Sequence, residues 1–72
     1  MALSARNKLT GRIERLKLDD ITAHVFVRVG DNIIESVITR TSADEMNLQV
    51  GDSVQIVVKS TEVMIQKDSI AG

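Results

Sequence analysis

The chain has 72 residues, of which 43% are hydrophobic and 26% charged, and its formal net charge is −1 at pH 7. This length predicts a single domain over residues 1–72 and excludes a second folded unit. A chain so short buries little of its own surface, and without cysteine and with one histidine it has neither a disulfide nor a metal cluster to stabilise it. We therefore expect a homo-oligomer.

The composition also limits the partners. A nearly neutral, mixed-sign surface gives no electrostatic reason to expect nucleic acid or anionic lipid. No apolar stretch reaches the roughly 18 residues of a membrane span, and no basic segment precedes an apolar run at the N-terminus. We expect a soluble, cytoplasmic protein with no nucleic-acid or membrane partner.

Nine valines and eight isoleucines predict an all-β domain, because β-branched side chains suit a pleated sheet. The first strand is predicted over about 9–18. Its apolar positions change from odd to even numbers, which indicates a β-bulge near Glu14 and Arg15. Gly11 within this strand indicates a bend or a close approach of another backbone.

The second and third strands are predicted as a hairpin. Apolar residues alternate with polar ones from Ile21 to Val29, the period of a strand with one buried face. Gly30, Asp31 and Asn32 then form a turn, and the third strand covers Ile33–Thr39.

A short helix and two further strands complete the predicted order. The helix, of one to two turns, is predicted within the segment Thr41–Leu48, where Ser42 and Glu45 have the spacing of a capping box. The fourth strand covers Ser53–Lys59 and the fifth Val63–Gln66. Three strands, a helix and two strands are the order of a five-stranded OB-type barrel, with a small open sandwich as the alternative.

Phe26, Val57 and Met64 lie on the faces opposite the clearest apolar stripes. A chain this small cannot cover both faces of its sheet, so we interpret them as candidate subunit contacts. Scattered surface apolar residues are an equally good explanation.

The sequence contains no arrangement of a nucleophile with a base, so we predict that the protein is not an enzyme. His24 lies within a strand among apolar neighbours, where a structural or surface role is favoured over that of a general base.

Two short segments are rich in hydrogen-bond donors and contain no carboxylate. They are Ser4-Ala5-Arg6-Asn7 before the first strand and Lys59-Ser60-Thr61 after the fourth. If they met in space, they would surround a small anion with charge-assisted hydrogen bonds. Taken separately, each is better explained as an exposed, solvated tail or turn.

These segments carry a family resemblance. Ser4-Ala5-Arg6-Asn7 followed by Leu9 and Gly11, then Val37-Ile38-Thr39, and Val58-Lys59-Ser60-Thr61 before Val63-Met64-Ile65, resemble the molbindin (Mop, TOBE-like) family across almost the whole chain. The resemblance implies an OB-type barrel that assembles as a hexamer, a trimer of dimers, and holds molybdate at subunit interfaces.

The resemblance also implies the binding residues. These are Ser4, Arg6, Asn7, Thr39, Ser42, Lys59, Ser60 and Thr61. Capping of the helix explains Ser42 without any ligand. Because molybdate is a tetrahedral dianion with acceptor oxygens only, donors and cations suffice, and neither direct metal ligation nor a catalytic cofactor is needed.

The predicted function is therefore storage or homeostasis of molybdate, with tungstate as a close analogue. Two alternatives remain. One is an OB-fold module for single-stranded nucleic acid, which the single phenylalanine disfavours because such binding relies on aromatic stacking in a basic groove. The other is a structural subunit of a molybdate transporter or regulator.

Overall fold

The computed structural model describes residues 7–68. It contains four strands, one helix and a single 3-10 turn. The strands are β1 (Asn7–Leu18), β2 (Thr22–Val29), β3 (Asn32–Thr39) and β4 (Ser53–Val58); helix α1 spans Arg40–Glu45, and the 3-10 turn spans Ser60–Glu62. The first four predicted strands are confirmed to within two residues at their ends.

The strands form one antiparallel sheet in the order β3-β2-β1-β4. β3 and β4 are its two edges, so the sheet is open and the predicted five-stranded barrel is not closed within residues 7–68. The predicted fifth strand, Val63–Gln66, does not form. Val63 has extended backbone angles, but an extended segment becomes a strand only where a neighbouring strand supplies hydrogen bonds.

The bulge predicted in β1 is confirmed. Ile13 pairs with Val27 and Arg15 with Phe26, so Glu14 is the extra residue. The bulge restores an inward direction to Leu16 after the change of phase. It also increases the local twist, which curls the sheet around its inner face.

Gly11 is confirmed as a site of close backbone approach. A Cβ atom at this position would lie 2.6 Å from the carbonyl oxygen of Arg28 and 2.6 Å from Cγ1 of Val27. No side chain fits there without movement of β1 or β2.

The turn between β2 and β3 contains two residues, Gly30 and Asp31, between the paired residues Val29 and Asn32. Gly30 has a φ of 61°. A positive φ at the first position is what a two-residue type II′ hairpin requires, and glycine adopts it without strain.

The core lies on the inner face of the curled sheet. Ile13, Ala23, Val25 and Val27 are at most 5% exposed, and Ala43 of α1 joins them from outside the sheet. Buried residues alternate with less buried ones along β2, as predicted. Ile21 was predicted to belong to the same buried face, but it is 78% exposed because it lies in the turn before the strand.

Helix α1 begins at Arg40, before the predicted cap Ser42, and its cap is different. The side chain of Thr39, not of Ser42, accepts a hydrogen bond from the third amide of the helix, Ser42 N, at 3.0 Å. The predicted capping box of Ser42 and Glu45 is therefore wrong. Thr39 comes first in the chain with extended angles (φ −72°, ψ 149°), the conformation of an N-cap residue, whereas Ser42 is already helical.

Candidate functional site

The pairing of β1 with β4 determines what lies beside Asn7, the last residue of the first donor-rich segment. Asn7 at the start of β1 lies opposite Val58 at the end of β4. The side-chain amide of Asn7 also donates to the Val58 carbonyl oxygen at 3.4 Å. Because the strands are antiparallel, the start of β1 and the end of β4 lie at the same end of the sheet. Asn7 and the Lys59-Ser60-Thr61 segment therefore lie close together, whereas the sequence alone left open whether the two donor-rich segments meet.

The second segment forms a compact turn directly after β4. Lys59 precedes the 3-10 turn, and its carbonyl oxygen accepts a hydrogen bond from the amide of Glu62 at 2.9 Å. Lys59, Ser60 and Thr61 are all exposed. Within residues 7–68 their side chains make no hydrogen bond or ion pair. Their donors are thus available to a ligand.

Ser4 and Arg6 lie outside the described residues. Asn7 is therefore the one member of the first donor-rich segment whose position is described.

Thr39 and Ser42 form a separate hydroxyl pair at the start of α1. Thr39 Oγ1 donates to Ser42 Oγ at 2.8 Å while accepting from Ser42 N. The hydroxyl proton of Thr39 is thus committed, whereas that of Ser42 is free to donate. Thr39 is exposed and Ser42 half-buried.

The two groups do not meet within one chain. Thr39 pairs with Thr22, which lies beside the last residue of β1, Leu18. Asn7 is the first residue of β1 and lies at its opposite end. At about 3.3 Å per residue, this strand is roughly 35 Å long. Thr39 and Ser42 therefore lie at the opposite end of the sheet from Asn7 and the Lys59 segment.

An open apolar groove lies on the inner face between the edges β3 and β4. It has a volume of about 170 Å³ and lining residues from both edges, from β2 and from the segment after α1. They include Val25, Ile38, Met46, Leu48, Val54 and Ile56. Residues 7–68 thus leave the core uncovered between β3 and β4, where a closed barrel would have another strand.

The chain after the 3-10 turn is apolar and exposed. Val63, Met64 and Ile65 are 47%, 91% and 90% exposed. The sequence pointed to Met64 and Val57, and both are exposed, but Phe26 is half-buried. The exposure of Val63 and Ile65 was missed, although three consecutive apolar residues are more than a strand with one buried face can cover.

His24 is hydrogen-bonded on the outer face of the sheet, where its Nδ1 lies 2.8 Å from a carboxylate oxygen of Glu35. Residues 7–68 contain no group of three or more metal-ligating side chains, and no helix among them is long and apolar enough to cross a membrane.

Comparison with known proteins agrees with this geometry. Residues 3–65 match the model of the TOBE domain. The chain is 42% identical over 66 residues to molybdenum-pterin-binding protein 1 of Clostridium pasteurianum, covering 90% of this chain and 97% of the relative.

Two solved structures have the same fold. A molybdate-binding protein from Sporomusa ovata superposes with a TM-score of 0.89 at 28% identity, covering 93% of this chain and all of that one. MopII from Clostridium pasteurianum superposes with a TM-score of 0.85 at 40% identity, and the match covers 92% of this chain and all of the MopII chain. The resemblance found in the donor segments is therefore confirmed, and the chain belongs to the TOBE domain family.

Proposed function

We propose that this chain binds molybdate as an intact oxyanion at interfaces between copies of itself, and that it serves cytoplasmic molybdenum storage or homeostasis without catalysis. One observation carries the proposal. Asn7, the last residue of the first donor-rich segment, pairs with Val58, which directly precedes Lys59 and Ser60. This pairing supports one site built from both donor-rich segments.

The chemistry of this place suits a tetrahedral dianion. Lys59 supplies a mobile ammonium, Arg6 a rigid fork of N–H groups, and Ser4, Asn7, Ser60 and Thr61 supply shorter donors. Hydrogen bonds between charged partners are about twice as strong as neutral ones. Two cations balance the two charges of molybdate, and tungstate has the same charge and shape.

The ligand assignment is supported by the relatives. The Sporomusa ovata protein, which shares this fold, is described as molybdate-binding, and the Clostridium pasteurianum relatives are described as molybdenum-pterin-binding. The donor set of this chain accounts for the molybdate itself, because it needs only acceptor oxygens on the ligand.

Homo-oligomerisation, with the hexamer that the family resemblance implies, completes the proposal. Residues 7–68 of a single chain leave both the apolar segment 63–65 and the apolar groove between β3 and β4 uncovered. We propose that contacts between copies cover both and supply the fifth strand of the barrel. Contacts between copies would also allow Thr39 and Ser42 of one copy to join the Lys59 segment of another.

Isothermal titration calorimetry with molybdate, tungstate, sulfate and phosphate tests this function. We expect molybdate and tungstate to bind and sulfate to bind more weakly, because it is smaller. Arg6→Ala and Lys59→Ala should each weaken molybdate binding by about tenfold or more, the effect of losing one charged hydrogen-bond partner.

The matched control is Lys67→Ala, which removes an exposed lysine outside the donor segments. It should change the affinity less than about twofold. Failure of the assembled protein to bind any of the four anions would refute the function, and equal effects of Lys59→Ala and Lys67→Ala would refute the site.

A further inference from the structure

The outer face of the sheet carries a row of cations along β1. Because β1 and its neighbours alternate inward and outward, four cations of this strand face away from the core, namely Lys8, Arg12, Arg15 and Lys17. We call these four residues the basic row. At about 3.3 Å per residue it is roughly 30 Å long, and its last two members are about 7 Å apart.

The carboxylates near the basic row are already engaged. Glu14 accepts two hydrogen bonds from Arg28, each at 3.2 Å, and Glu35 is bonded to His24. Within the described part of the chain, Lys8, Arg15 and Lys17 form no ion pair, and Arg12 donates only to the carbonyl oxygen of Gly51. The row is therefore a field of unpaired positive charge.

This field contrasts with the rest of the molecule. The chain carries a net charge of −1 in total, so four cations on one row leave the remainder net negative. Such segregation of charge steers and orients an approaching partner. The partner must present negative charge to the basic row and avoid the remaining surface.

Phe26 lies beside the basic row and stacks against the guanidinium of Arg15. It is directly opposite Arg15 on β2, and the Arg15 guanidinium lies 5.2 Å from the centre of its ring. This stacking restrains the guanidinium before any partner arrives, which reduces the entropy lost on binding. Arginine and aromatic side chains are enriched in protein interfaces.

From these observations we infer that the basic row, with Phe26, is a docking surface for an extended acidic segment of a partner protein. A strand-like acidic segment repeats its side chains about every 7 Å on one face, which matches the spacing of Arg15 and Lys17. Arg15 already covers the Phe26 ring and the chain has no other aromatic residue, so this surface does not offer the base-stacking platform that single-stranded nucleic acid needs.

Docking at the basic row is independent of molybdate binding. The basic row faces away from the groove and the core, since its members alternate with the inward residues of β1. A partner can therefore occupy it without covering the groove.

A labelled peptide tests the surface. The probe is an acetylated 16-residue peptide of alternating glutamate and threonine, titrated with the assembled protein by fluorescence anisotropy at low and physiological salt. We expect binding that weakens with salt. The double variant Arg15→Gln/Lys17→Gln should weaken it about fivefold or more, while Lys67→Gln changes it less than twofold and calorimetric molybdate binding is unchanged in both.

Three results would overturn the inference. They are absence of peptide binding, tighter binding of a 15-nucleotide oligo(dT) than of the peptide, and a lower solution mass of the double variant, which would assign the row to contacts between copies. Circular dichroism of the double variant verifies that it is folded, and Lys8→Gln provides a second, milder substitution in the same row.

Discussion

At Gly11 the main chain of β1 passes so close to β2 that hydrogen is the largest side chain the space admits. Three atoms of β2 lie within 2.9 Å of the position that a Cβ would occupy, and one of them is a backbone oxygen. A backbone atom cannot rotate away as the end of a flexible side chain can. The close approach therefore depends on this one residue.

We expect Gly11→Ala to destabilise the protein by about 1–3 kcal/mol, because the added methyl group must separate two paired strands. Urea denaturation of the assembled protein at fixed concentration measures the change. Thr10→Ala, at the exposed neighbouring position of the same strand, is the control and should stay within about 0.5 kcal/mol of the wild type. A Gly11→Ala variant as stable as Thr10→Ala would show that β1 and β2 adjust freely.

Helix α1 shows how a short element is fixed at both ends. Thr39 caps its first turn, and after Met46 the chain reverses through Asn47, which has a φ of 50°. The amides of Asn47 and Leu48 donate to the carbonyl oxygens of Asp44 and Ala43, the pattern of a Schellman motif. Six residues of helix are stable here because their end groups are bonded and Ala43 is buried.

Replacement of the cap separates its structural role from a role in anion binding. Thr39→Ala should cost about 1 kcal/mol in unfolding free energy measured without molybdate, because Ser42 N loses its acceptor. Thr39→Ser keeps the acceptor oxygen, so its unfolding free energy should fall by less than half as much as that of Thr39→Ala.

Calorimetry of the same two variants then addresses the site. If Thr39 contributes to anion binding through the hydroxyl pair, Thr39→Ser should retain molybdate affinity and Thr39→Ala should weaken it. Equal molybdate affinity in both variants and the wild type would restrict Thr39 to capping the helix.

For the molecule as a whole, assembly and anion binding should be coupled. A ligand held between copies binds the assembled state only, so at 100 times its dissociation constant molybdate adds about 2.7 kcal/mol of stability. Ile65→Asp places a charge in the exposed apolar segment 63–65. We expect this variant to have a lower mass in sedimentation experiments and a parallel loss of molybdate affinity.

Gln66→Asp introduces the same charge one residue beyond the apolar segment and should leave both properties nearly unchanged. A variant of Ile65 that sediments as a monomer yet binds molybdate with wild-type affinity would contradict a site between copies.

The sequence determined the features that depend on local patterns. The alternation along β2, the change of phase at Glu14 and the glycine-containing turn after Val29 are each set by a few neighbouring residues, and each is confirmed. The donor segments were equally visible, because an unbroken run of donors without carboxylates is a local property. Family membership followed from the same residues.

Only the tertiary structure decided what depends on distant residues. Thr39 rather than Ser42 caps α1, since the cap depends on where β3 ends, and Val63–Gln66 remains unpaired, since a strand needs a neighbour that the pattern of its own residues cannot provide. The register of β1 with β4 places Asn7 beside the Lys59 segment and leaves Thr39 and Ser42 at the far end of the sheet. Hydrogen bonds between strands, not sequence spacing, fix which donors can share one anion.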